Sequence, residues 1–198
     1  MNEFAIRREK LLATFDSDSV IILVGNTEKV RSKNFNYLFR QNSDFFYITG
    51  FEEPDAVAVL RPDHDQGYTL FCRSKDSLAE IYFGERAGPE GAVQQYYADS
   101  AYPIEDIHKV LPTLLEDRSK VYLSDTLNRF GHSVFDWLNL QQRTAKFDEI
   151  KVSRSLHDIG PYLHEQRKIK DDDEVATLKR VVEISALAHQ KVMEATKV

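Results

Sequence analysis

Residues 40–56 read Arg40-Gln41-Asn42-Ser43-Asp44-Phe45-Phe46-Tyr47-Ile48-Thr49-Gly50-Phe51-Glu52-Glu53-Pro54-Asp55-Ala56. A polar lead-in becomes an aromatic run, stops at Gly50, turns through Glu52 to Pro54 and enters an apolar segment. Aromatic and β-branched residues bounded by glycine and proline favour a strand, a turn and a second strand. The spacing therefore predicts strands over 45–50 and 56–60. Strand propensity does not account for the polar lead-in. For Arg40 and Asp44 the simplest physical role is a charged pair that ties the preceding loop to the strand.

Outward from this stretch, elements alternate. A fully apolar run at 20–24 ends at Gly25 and suits a buried strand. Residues 26–39 are polar and aromatic without a clear period and read as a long loop. Residues 62–67 form a turn cluster, and 68–72 pairs back as a hairpin strand. Residues 80–83 read as a short strand, 84–89 as a loop and 90–96 as a helix. Helical spacing continues over 104–115, followed by a strand at 121–123 and a helix at 133–140 that holds the lone Trp137. Alternating strands and helices with one hairpin imply a layered α/β domain with a mixed sheet.

The last part of the chain behaves differently. Residues 156–167 read as a short helix and 169–173 as a polar break. Asp172 or Asp173 is placed to cap a long helix over 174–197. Val175, Leu178, Val182, Ser185, Ala188 and Val192 give that helix a narrow apolar stripe, which calls for a partner surface in this domain or another chain. The break near residue 170 reads as a domain boundary, dividing 1–170 from 171–198.

Composition narrows the function. A chain of 198 residues holds one sizeable domain, or one domain and part of another. The net charge of −6, with acids and bases interspersed, leaves no basic stripe for nucleic acid. Residues 1–15 form an amphipathic helix without the apolar core of a signal peptide. No stretch is apolar and long enough to span a membrane. A single cysteine, Cys72, in an apolar strand reads as a buried, inert thiol. The expectation is a soluble cytoplasmic protein.

No motif supplies a catalytic centre. His164-Glu165-Gln166-Arg167-Lys168 resembles the zinc-protease pattern H-E-x-x-H but carries Lys168 where the second imidazole must stand. His64, His108, His132, His157, His164 and His189 are scattered. Gly84-Glu85-Arg86-Ala87-Gly88 has neither the spacing nor the lysine of a phosphate loop. The acidic run 171–174 lacks the alternating ligands and central glycine of a calcium loop and reads as a helix start. There is no G-x-S-x-G nucleophile elbow.

The 40–56 stretch nevertheless resembles the signature of the N-terminal domain of aminopeptidase P, the Xaa-Pro aminopeptidases. Further segments match in order. They are Arg31-Ser32, the acid–aliphatic–aromatic–x-Gly-x-Arg segment at 80–86, the linker at 161–170 with Glu174, and a first catalytic-domain helix at 183–189. The resemblance implies a three-layer α/β/α domain around a mixed sheet of about six strands. It implies Arg40, Asp44, Tyr47 and Gly50 as structural signature residues. It also implies a following pita-bread catalytic domain that holds two divalent metals, usually manganese, through five ligands, where a bridging hydroxide attacks the Xaa-Pro bond. Those ligands fall beyond Val198, so this chain is expected to hold no metal and to be inactive alone.

In such enzymes the N-terminal domain narrows the substrate entrance and builds the oligomer. Its partners are its own catalytic domain and neighbouring subunits, and the whole enzyme's substrates are proline-containing peptides. The aromatic of the 80–84 segment, Tyr82 here, can reach a neighbouring active site and offer a flat wall to a proline ring. Alternatively Tyr82 is an ordinary strand aromatic at a sheet edge. Two other readings stay open. One is a stand-alone, non-catalytic binding module, like the aminopeptidase-like domain of a histone chaperone. The other is a prolidase or creatinase relative.

Overall fold

A computed structural model describes residues 2–62, 64–116, 118–124 and 155–196. They form two compact units, Met1–Pro161 and Tyr162–Val198. The first unit is built on a six-stranded mixed sheet of order β6-β5-β4-β1-β7-β8. Its strands are β1 (Ser19–Val24), β4 (Val57–Leu60), β5 (Tyr68–Cys72), β6 (Ser100–Pro103), β7 (Lys120–Leu123) and β8 (Ser155–Asp158). β4 runs antiparallel to both neighbours, while β1–β7, β5–β6 and β7–β8 are parallel. The expected α/β class and mixed six-stranded sheet are thus observed.

Every residue of β1 and β4 is buried, as the continuous apolar runs require of strands covered on both faces. One face carries Val20, Ile22, Val24, Val57, Val59 and Phe71 against Ile107, Leu111, Leu114 and Leu115 of helix α5 (Ile107–Leu114) and its end. The alternate residues Ile21, Leu23, Ala58, Leu60 and Leu70 are equally buried on the opposite face. Helices α1 (Glu3–Leu12), α2 (Ser43–Thr49) and α4 (Gly88–Tyr96) flank the sheet as well, with α2 touching α1 and β1, and α4 touching β5 and β6. Full burial of a Leu, Ile, Val or Phe side chain contributes about 1.5–3 kcal/mol, so this double-sided core is the main source of stability.

The fold corrects several local expectations. Residues 45–50 are helix, within α2, rather than strand. The side chain of Asn42 accepts from the N–H groups of Asp44 and Phe45 at 2.9 and 3.0 Å, and Asp44 lies in the first turn where the dipole favours an acid. Gly50 ends the helix with φ +68°, its N–H bonded to Phe46 O. Caps at both ends outweigh the strand propensity between them. Residues 80–83 are likewise helix, within α3 (Ser77–Phe83), capped by Asp76 through the N–H groups of Leu78 and Ala79.

The loop at 26–39 contains a small exposed hairpin, β2 (Val30–Ser32) with β3 (Phe35–Asn36). Strand β6 was not anticipated. Residues 155–158 are strand, and the helix expected over 156–167 is α6 (Gly160–Lys168). The helix expected over 133–140, with Trp137, lies outside the described residues.

The second unit holds α7 (Asp172–Ala195), the long terminal helix expected from the sequence. Its cap is Asp171, one residue earlier than expected. Asp171 accepts from Glu174 N at 2.8 Å and donates its own N–H to Glu174 at 3.0 Å, a reciprocal capping box. No residue of α7 is buried.

Candidate functional site

Because β4 opposes its two neighbours, the carboxyl ends of β1 and β5 flank the start of β4. The segment leaving β1 (residues 26–42) and the segment leaving β5 (residues 73–87) therefore emerge at one edge of the sheet. The turn 52–56 that enters β4 lies between them. The carboxyl edge is where open α/β sheets place their recognition surfaces.

The 40–56 stretch organises this edge. Gln41 is buried and its side-chain oxygen accepts from the N–H groups of Asn26 at 2.7 Å and Asn42 at 2.8 Å. Its amide nitrogen donates to Glu53 O at 2.8 Å. Gly25 makes room for it, since a Cβ there would stand 3.0 Å from Gln41 Oε1. Asn26 in turn donates to Arg40 O at 2.9 Å. The segment 27–40 is thus pinched at its base, above a cleft of about 390 Å³ lined by Asn26, Lys29, Tyr37, Leu38, Arg40 and Asn42.

Across β4, Glu53 takes up the second segment. Glu53 Oε1 accepts from Ala87 N at 2.6 Å, and Oε2 stands 3.7 Å from the Arg73 guanidinium. Arg86 donates its N–H to Glu80 at 2.9 Å and a guanidinium N–H to Ser74 O at 3.2 Å. These groups border a polar cleft of about 400 Å³ that also reaches Lys75, Glu85 and Tyr96.

The four residues expected as a signature occupy different settings. Arg40 is exposed and lines the first cleft. Asp44 sits in the first turn of α2. Tyr47 is buried, with the Arg7 guanidinium 4.4 Å from its ring centroid. Gly50 permits the left-handed turn and close contact with Phe4. Tyr82 lies on α3 and is 76% exposed, next to Phe83 and near Leu78 and Ile81, which are exposed too. It is a helix aromatic, not a sheet-edge strand residue.

Sequence reading missed Gln41 and Glu53, whose partners lie up to 34 residues away. It also missed Arg8, which stacks 4.1 Å from the centre of the Tyr68 ring and donates to Ile48 O at 3.0 Å. Burial lowers the affinity of Arg8 for its proton, opposed by Tyr68 and Asp99. Burial also raises the Tyr68 phenol well above its ordinary range, and pushes the Cys72 thiol up to about 12. Cys72 is fully buried.

Among the described residues, no group of three or more His, Cys, Asp or Glu side chains could hold a metal ion. None of the described helices is long and apolar enough to cross a membrane.

This domain, a mixed sheet between helices with a pinched hairpin and an exposed aromatic helix at its carboxyl edge, has known counterparts. The family profile described as "Aminopeptidase P, N-terminal domain" matches residues 4–122. The chain belongs to that family. Xaa-Pro aminopeptidase of Escherichia coli is 34% identical over 194 residues, covering 97% of this chain and 44% of the relative. The Haemophilus influenzae Xaa-Pro aminopeptidase is 33% identical over 98% of this chain and 43% of its own length. The solved structure of Pseudomonas aeruginosa aminopeptidase PepP superposes with a TM-score of 0.94 at 38% identity, covering 98% of this chain and 44% of that one. The chain therefore spans less than half the length of these relatives.

Proposed function

We propose that this chain is the substrate-gating and subunit-contacting domain of a cytoplasmic Xaa-Pro aminopeptidase, a metallopeptidase that releases the residue preceding a proline. Residues 1–170 form that domain and 171–198 begin the part that follows it. The proteins it resembles carry the chemistry in their names: Escherichia coli aminopeptidase P has been solved with the inhibitor Pro-Leu, and in zinc-substituted form with product. No set of described side chains fits a metal pair, so no hydrolytic step is assigned to them. The two divalent ions, manganese in this reading, belong to the region of the relatives that this chain does not span. When bound, such a pair supplies a hydroxide nucleophile and polarises the peptide carbonyl.

The contribution of this domain is binding and exclusion. The observation that carries the reading is α3, which buries none of its residues and presents Leu78, Ile81, Tyr82 and Phe83 outward. A monomer gains nothing by exposing four large apolar side chains in seven residues, and such patches mark contact surfaces. Tyr82 supplies a flat apolar wall suited to a proline ring at a neighbouring subunit's entrance.

The test is release of the N-terminal residue from an Xaa-Pro peptide. The 198-residue chain supplied with manganese is expected to release none. Chelator-sensitive release by this chain alone would overturn the assignment of the chemistry.

A further inference from the structure

The two excursions at the carboxyl edge of the sheet share one property. Both expose their large apolar side chains: Phe35, Tyr37 and Leu38 on one, Ile81, Tyr82 and Phe83 on the other. Burial therefore does little to hold them. α3 contributes no buried residue at all, so its position depends on polar ties at its ends. Two of those ties stay within the excursion, namely the Asp76 cap and the bond from Arg86 N to Glu80. The bond from Arg86 to Ser74 O joins the excursion to its own base. Where it meets α4, whose cap residue Ala87 has no side-chain capping bond of its own, the partner is Glu53. A carboxylate at a helix start is favoured by the dipole, and a charged acceptor makes the stronger class of hydrogen bond.

Glu53 also serves the other excursion. Its carbonyl oxygen receives the Gln41 amide, and Gln41 in turn closes Asn26 onto Asn42. One residue, in the turn that enters β4, therefore ties down both segments, the hairpin side through its carbonyl to Gln41 and the far end of the α3 segment through its carboxylate to Ala87. Arg73 neutralises the second carboxylate oxygen from the end of β5.

We propose that Glu53 is the positioning residue of this surface, fixing the separation of the Tyr37 and Tyr82 segments across β4. Its functional arm rests on the gating reading above. Its structural arm does not.

Hydrogen exchange on the 198-residue chain tests the structural arm. In Glu53→Ala, the amides of 77–87 exchange about tenfold faster or more, while those of β1 and β4 keep their rates. Glu53→Gln restores most of the protection, because its side-chain oxygen still accepts from Ala87. Wild-type exchange at 77–87 in Glu53→Ala would overturn the proposal, as would an equal rise throughout β1 and β4. The functional arm is read in the longer enzyme carrying this domain, where Glu53→Ala raises KM for an Xaa-Pro peptide about three- to tenfold with kcat held. Loosened 77–87 amides with an unchanged KM would leave the positioning role standing and overturn the gating reading.

Discussion

Gly50 shows how much one backbone conformation decides. Its φ of +68° ends α2, and a Cβ there would sit 2.6 Å from the Phe4 ring. Gly50→Ala is expected to destabilise the domain by about 1–2 kcal/mol from the left-handed conformation alone, and by more because Phe4 must move. The drop in urea midpoint measures it. Gly50 was legible in the sequence as a stop signal, whereas Gln41 and Glu53 were not, because a polar side chain in a turn does not reveal that it will bond Asn26 or Ala87. Cys72 was legible as buried, and its burial has a pH consequence. Its folded pKa, about 12 against an ordinary 9.0, is raised, so the stability it contributes is complete below pH 9 and is lost as pH climbs toward 12. Burial of Tyr68 acts in the same direction. Urea midpoints should fall above pH 9, and Cys72→Ala should make that fall shallower.

At the scale of elements, the central strands were readable and the margins were not. β1 and β4 are apolar on both faces and announce themselves. β6 and β8 are short, half-exposed edge strands whose residues, Ser100-Ala101-Tyr102-Pro103 and Ser155-Leu156-His157-Asp158, carry no alternation to detect. α2 and α3 were read as strands because their aromatics favour sheet, although Asn42, Gly50 and Asp76 stood at cap positions. Caps decide when a helix of seven residues competes with a strand of similar length. The same physics governs α7. Asp171→Ala removes one half of its capping box and should cost that helix about 1 kcal/mol. The change should appear as faster amide exchange confined to 172–175, with the sheet amides untouched.

For the molecule as a whole, the sequence carried the fold class and the family further than it carried the site. The family follows from a contiguous match over residues 4–122 and from solved relatives that superpose over nearly all of this chain. The site is harder to read because its parts, residues 26–42, 52–56 and 73–87, meet only after β1, β4 and β5 are assembled side by side. That assembly also bears on how the chain reaches its native state. β4 pairs with β5 across a short connection, but β7 docks beside β1 about 100 positions downstream, Ser19 against Lys120. Closing so large a loop costs entropy before any contact repays it. The β4–β5 hairpin is accordingly expected to form early, and the distant pairing of β7 with β1 later.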